Sequence, residues 1–201
     1  MSLTVMTPYL IGLTGGIGSG KSVVSHLLRL MGVPVYDCDS EAKRLMCESK
    51  TIREALVRIV GDKVYDATGM LDRPYLAAFM FAAPERVALV NRIVHPVVRA
   101  DFREWAQRTG KTVVAVESAI LFEAGMEGDV DAVWVVDAPE AVRLQRAVRR
   151  DVSDEESVRR RMQCQLSGEE YLQRANRVVR NDGRNSLIAQ VQHLLGEIYD
   201  K

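Results

Sequence analysis

Residues 9–22 read Tyr9-Leu10-Ile11-Gly12-Leu13-Thr14-Gly15-Gly16-Ile17-Gly18-Ser19-Gly20-Lys21-Ser22. An apolar run, Tyr9 to Leu13, leads into G-x-x-x-x-G-K-[ST], and Lys21 to Met31 then continues with the period of an amphipathic helix. In a strand, a glycine-rich turn and a helix in this order, backbone N–H groups turn inward around phosphate oxygens. The positive end of the helix dipole lies behind them. A glycine-rich turn that merely caps a helix is the competing reading, and the strand and helix on its two sides argue against it. Gly16, Ile17, Gly18, Ser19, Gly20, Lys21, Ser22 and Val23 are therefore the expected nucleotide contacts. Lys21 would reach the β- and γ-phosphates, and the Ser22 hydroxyl would join the shell of a Mg²⁺ ion.

Outward from this loop, Thr112 to Val116 and Ala132 to Val136 are two further apolar runs without polar alternation, as in strands of a parallel sheet covered on both faces. Val33 to Tyr36 and Arg177 to Arg180 are weaker strands. Pro139 to Arg150 and Asn185 to Ile198 have helical periodicity. This alternation predicts a three-layer α/β core with a five-stranded parallel sheet. The core would take up about residues 8–39, 111–150 and 176–201. Residues 40–110 show helical periodicity punctuated by Pro74, Pro84 and Pro96, and read as an inserted helical lobe. Proline is tolerated in a helix mainly in the first turn, so these residues are expected near helix starts. About residues 151–175 form a second, arginine-rich excursion placed as a mobile lid. Ser153-Asp154-Glu155-Glu156 is a capping-box pattern that should open its helix.

The composition narrows the function classes. The 201 residues are 47% hydrophobic, and 27 basic residues balance 27 acidic ones. That is an ordinary globular chain with no charge excess to drive nucleic-acid binding. The arginine-rich stretch also lacks interleaved aromatics. Cys38, Cys47 and Cys164 give neither a disulfide framework nor a zinc set. There is no basic leader before Lys21 and no apolar run of bilayer length, so a cytoplasmic protein without membrane attachment is expected. The N-K-x-D signature of guanine recognition is absent, and the chain is short for the coupling elements of a motor ATPase. A small-molecule kinase fits best.

Asp37 and Asp39 follow the second strand, at the end where α/β folds bind ligands. Asp37 is placed to orient a hydroxyl and take its proton. For Asp39, helix N-capping stands beside a functional role.

Gly12 to Ser22, followed after a helix by Asp37-Cys38-Asp39, resembles dephospho-CoA kinase. Further stretches similar to that family follow in order: Gly69-Met70-Leu71-Asp72-Arg73 with Leu76 and Phe81, Asn91-Arg92-Ile93-Val94-His95-Pro96, and Leu121-Phe122-Glu123. Arg146 with Arg150-Asp151, Gln165, and Asn181-Asp182-Gly183 complete the series. The sequence departs from the family at Glu117, where Asp is frequent, at Ala119, where Pro is frequent, and at Val23 and Arg143, which replace a common Thr and Gln. The resemblance implies ATP-dependent phosphorylation of the ribose 3′-hydroxyl of dephospho-coenzyme A, with Asp37 as base and Lys21 with Mg²⁺ neutralising the transferred group. It assigns Asn181 to the nucleotide and Asp39, Arg73, His95 and Glu117 to the acceptor side. For His95 a packing role stands beside ligand contact, and for Arg73 a structural salt bridge.

Seven arginines lie between Arg143 and Arg161, and Arg143, Arg146 and Arg150 share one helical face. Such a stripe is usually a solvated face, the reading for Arg159 and Arg160. Arg146 to Asp151 is similar to the family's R-x-x-x-R-D lid motif, and that resemblance implies that Arg146 and Arg150 are catalytic, as bidentate donors for phosphate. A monomer or weak homo-oligomer is expected. Another small-molecule or nucleoside monophosphate kinase on the same core, or a non-catalytic ATP-sensing module, are the alternatives.

Overall fold

The structure is a computed structural model that describes residues 7–152 and 154–200. The first unit comprises the residues up to Tyr36 and those from Thr109 onward; the second is Asp37–Arg108.

In the first unit, β1 (Tyr9–Thr14) runs into the glycine-rich turn and then α1 (Lys21–Leu30). β2 (Val35–Asp37) follows; it starts after Pro34, whose carbonyl still accepts the Ala115 N–H. In the second unit come α2 (Cys38–Glu48), α3 (Lys50–Val60), α4 (Arg73–Phe81) and α5 (Pro84–Arg108). The chain returns to the first unit with β3 (Val113–Glu117), β4 (Ala132–Asp137), α6 (Glu140–Asp151), α7 (Glu155–Gln163), α8 (Gly168–Gln173), β5 (Arg177–Arg180) and α9 (Leu187–Tyr199).

The five strands form one parallel sheet in the order β2-β3-β1-β4-β5. Gly12 stands opposite Val116 of β3 and Val133 of β4, so the central strand carries the loop. The chain leaves β1 toward one edge, returns at β3 and crosses to β4 on the other side. The loop after β1 thus lies where the strand order reverses, the place at which open α/β sheets bind ligands. Ile11, Leu13, Val113, Ala115, Trp134 and Val136 pack with Val24 and Leu28 of α1 and with Val191, Leu194 and Leu195 of α9. The residues that alternate with them, Val114, Val116, Val133 and Val135, are buried as well, so both faces are covered and the strands read as continuous apolar runs.

The second unit is helical, with one isolated bridge between Tyr65 and Leu71. Pro74 and Pro84 lie in the first turns of α4 and α5. Pro96 corrects the sequence expectation, because it sits inside the 25-residue α5. An interior proline costs about 3 kcal/mol. Against that, Val90, Val94, Val98, Phe102 and Ala106 are all buried at a spacing of four, a stripe that packs along the whole helix. Burying each such Val or Phe contributes roughly 1.5–3 kcal/mol, so the stripe outweighs the break.

The helix after residue 151 opens where the acidic pattern placed it. Its cap is Asp154, whose side chain accepts the Ser157 N–H at 2.7 Å. Ser153, the first residue of the expected capping box, lies outside the described residues. No described helix is long and apolar enough to cross a membrane.

Candidate active site

The loop is held by its own geometry. Gly20 caps α1 with φ +97°, in the left-handed region where a side chain is strained, and a Cβ there would collide with Asn181. The Lys21 ammonium donates to the carbonyls of Gly15 at 2.6 Å and Gly16 at 3.2 Å. The Thr14 and Ser19 hydroxyls are buried without a hydrogen-bond partner, so two polar groups at the loop await one. Ser22 is exposed on the first turn of α1, and Val23 is about half exposed.

Asp37 ends β2 and opens the second unit. Its extended backbone (φ −94°, ψ 102°) makes it the N-cap of α2. Oδ1 accepts from the amides of Asp39 at 3.0 Å and Ser40 at 3.3 Å, and Oδ2 accepts the Ser40 hydroxyl at 2.7 Å. This corrects the capping role considered for Asp39. The strand runs through residue 37 and the helix begins at Cys38, leaving Asp39 in the first turn with its side chain exposed.

Glu117, at the end of β3, accepts a hydrogen bond from the fully buried Ser25 hydroxyl of α1. The glutamate arm thus reaches across to the helix that follows the loop. Asn181 donates from Nδ2 to the Ser19 carbonyl at 2.7 Å, while its N–H donates to Asp137 O at 2.7 Å. Arg146 donates to the Asn181 carbonyl at 3.1 Å. Loop, Asn181 and Arg146 are therefore one connected network.

Arg146 and Arg150 both lie on α6, a helix of the core, and not on the excursion beyond it. Arg150 turns to Asp151, which also receives Arg161 of α7. Between two guanidinium groups the Asp151 carboxyl is held down to about 2. Arg159 and Arg160 pair with Glu155 and Glu156 one turn away, the solvated-face arrangement. Two contacts on the loop carry no signal in the phosphate-loop pattern. Gln165 Oε1 accepts the Ile17 N–H at 2.8 Å, and Arg143 lies against Gly16. The helical spacing of Arg143 with Arg146, and its departure from the family's common Gln, are the hints of the latter in the sequence.

In the second unit, Arg73 is exposed at the first position of α4, after Asp72 caps the helix through the Tyr75 N–H at 2.9 Å. A cation at a helix N-terminus opposes the dipole, and no ion pair offsets it among the described residues. His95 is half-buried in the middle of α5. Burial, with Arg99 one turn on, holds its pKa below the ordinary imidazole value. That lowering favours the neutral imidazole while no anion is bound.

The profile of the family described as dephospho-CoA kinase matches residues 9–186. The chain is similar to the dephospho-CoA kinase of Bacteroides fragilis, at 44% identity over 192 residues that cover 95% of this chain and 93% of that protein. For the dephospho-CoA kinase of Porphyromonas gingivalis the identity is 42%, with 95% of both chains covered. In structure, a Thermus thermophilus protein superposes with a TM-score of 0.82 at 36% identity, covering 95% of this chain and 98% of that one. The dephospho-CoA kinase of Campylobacter jejuni, at 24% identity and a TM-score of 0.69 over 94% and 96% of the two chains, shares the fold.

Proposed function

Since the chain belongs to the dephospho-CoA kinase family, we propose that it transfers the γ-phosphoryl group of ATP to the ribose 3′-hydroxyl of dephospho-coenzyme A, giving coenzyme A and ADP. It is an ATP-dependent kinase of coenzyme A biosynthesis, a transferase with an alcohol as acceptor. The observation that carries this reading is the family match over residues 9–186, which takes in the loop, Asp37, His95 and the arginines of α6.

The loop from Gly16 to Val23 binds the phosphates of ATP. On binding, the Lys21 ammonium exchanges the Gly15 and Gly16 carbonyls for phosphate oxygens, so the lysine is already in place. Asn181, joined to Ser19, borders the nucleotide, and Arg146 holds it there. Arg150 needs to leave Asp151 before it can reach a phosphate, which lid closure would bring about. Asp37 orients the 3′-hydroxyl and accepts its proton as oxygen bonds to phosphorus and the bond to ADP breaks. The amides and hydroxyl that fix its carboxylate also aim it.

A magnesium ion fits the residues present. Ser22 presents an exposed hydroxyl, a hard oxygen donor, beside the phosphate site. Such a donor suits an ion that arrives with its nucleotide and keeps several waters. The ion would supply charge neutralisation on the phosphates. Arg73, His95, Asp39 and Glu117 serve the acceptor side, and Arg73, a cation with no ion pair among the described residues, suits the acceptor's phosphates. The protein works in the cytoplasm as a monomer or weak homo-oligomer, and neither nucleic acid nor membrane is a partner.

The test is ADP release measured with dephospho-CoA, with nucleoside monophosphates and without acceptor, each with and without Mg²⁺. Release that depends on dephospho-CoA and Mg²⁺ is expected. Equal release with and without acceptor would make the protein an ATPase.

A further inference from the structure

Of the seven arginines between residues 143 and 161, most are spoken for. Arg150 and Arg161 engage Asp151, Arg159 and Arg160 engage Glu155 and Glu156, and Arg146 engages Asn181. Arg149 is exposed on the outer side of α6. Arg143 is different. Its side chain is partly buried, its Nε is buried with no hydrogen-bond partner, and no ion pair of its guanidinium is found among the described residues.

Its position is fixed by backbone. The first turn of α6 lies directly on the glycine-rich loop, so a Cβ on Gly18 would collide with the Arg143 carbonyl. A Cβ on Gly16 would collide with Arg143 Nη1. On the loop, Lys21 is hydrogen-bonded to Gly15 and to the same Gly16. A lysine so placed reaches the β- and γ-phosphates. Two cations thus converge on one residue of the loop, one delivered by α1 and the other by α6. Gln165, which takes the neighbouring Ile17 amide, adds no negative charge.

A partly buried guanidinium without an anion is costly unless an anion is meant to arrive. We propose that Arg143 is a catalytic residue of the phosphoryl transfer: it binds the γ-phosphate of the donor nucleotide alongside Lys21. The inference rests on reading the loop as the ATP site. Arg143 is carried by a core helix wedged against the loop, so its charge is in place before any lid movement. Arg146 then holds Asn181, and Arg150 is bound up with Asp151 and Arg161. As the bond to the β-phosphate breaks, the guanidinium offsets charge on the transferred group and on the oxygen that leaves with ADP, a preorganised donor with little to rearrange. Glycine at 16 and 18 is then required for a second reason, since any side chain there would displace the arginine.

The experiment compares wild type with Arg143→Gln and Arg143→Lys, using calorimetric binding of ADP and of a non-hydrolysable β,γ-imido ATP analogue, together with single-turnover transfer. Thermal unfolding reports whether each variant is folded. Losing a charged hydrogen bond to the γ-phosphate should weaken the analogue by roughly 10- to 100-fold in the glutamine variant. ADP, lacking that phosphate, should change by less than about threefold, well under the loss expected for a charged hydrogen bond. Transfer should slow about 10²-fold, with the lysine variant in between. If the glutamine variant unfolds, the lysine variant carries the test through the same ATP-over-ADP difference. Equal weakening of ADP and analogue, or no change in either, would reduce Arg143 to packing and overturn the inference while leaving the kinase reading intact. A wild type that binds neither nucleotide would overturn both.

Discussion

Asp37 carries two duties in one side chain. As N-cap it satisfies the first amides of α2, and as proposed base it takes a proton from the acceptor. The two separate by substitution. Asparagine caps a helix about as well as aspartate, whereas alanine costs roughly 0.5–2 kcal/mol. Asp37→Asn should therefore keep the melting temperature and the affinity for ATP, and slow single-turnover transfer by about 10²-fold, near the lower end for a positioned base. A loose phosphoryl-transfer transition state needs little early proton removal, which favours that end. Asp37→Ala should lose both stability and transfer, and Asp39→Asn should keep stability and slow transfer less than Asp37→Asn does. A larger transfer defect in Asp39→Asn than in Asp37→Asn would exchange the two roles. The sequence showed both carboxylates but not which one capped, because the answer turned on whether β2 stops at residue 36 or 37. Arg143 is visible in the sequence only as a departure from the family's usual glutamine and as a member of the arginine face of one helix. Its meaning required knowing that the first turn of α6 lands on Gly16 and Gly18, a contact between residues more than 120 positions apart.

At the scale of elements, the apolar runs of β1, β3 and β4 declared themselves because both of their faces are covered. Edge strand β2 is only three residues long and starts behind a proline, so its limits were displaced. α5 was harder still, since local rules place a break at Pro96 and only the buried stripe from Val90 to Ala106 says otherwise. Pro96 itself is exposed, so its ring is not held by packing against the core. Pro96→Ala restores the missing N–H and should stabilise the protein by about 1–2 kcal/mol, less than the full cost of an interior proline because the unfolded chain also gains freedom. Urea unfolding measures it. The same variant should bind dephospho-CoA more weakly, since the turn that an interior proline disturbs carries His95, one residue away. A variant that is both more stable and fully active would mean the proline shapes nothing.

For the whole molecule, the sequence made the alternation of strands and helices and the helical insertion readable, while the strand order came only from the structure. That order sets the loop at the reversal between β3 and β1, and the helical insertion forms a second compact unit, Asp37–Arg108. The loop, Arg143, Arg146 and Asn181 all belong to the first unit, while Asp37, Arg73 and His95 belong to the second. If the proposed duties follow that division, each ligand should protect its own unit from hydrogen exchange when offered alone. Ligand at about 100 times its Kd adds roughly 2.7 kcal/mol to the stability of the state that binds it. Amides whose exchange requires the binding state to open should then slow by about a factor of 100, and locally fraying amides should not. A non-hydrolysable ATP analogue should slow exchange around residues 15–24, the first turns of α6 and Asn181, with little change in α4 and α5. Dephospho-CoA alone should do the reverse, protecting α4 and the middle of α5. The analogue's footprint should shrink over residues 16–18 in Arg143→Gln while staying the same at Asn181, because Arg146 and Asn181 act through a separate contact with Ser19. An acceptor footprint confined to the first unit would place the acceptor site outside the helices to which Arg73 and His95 belong.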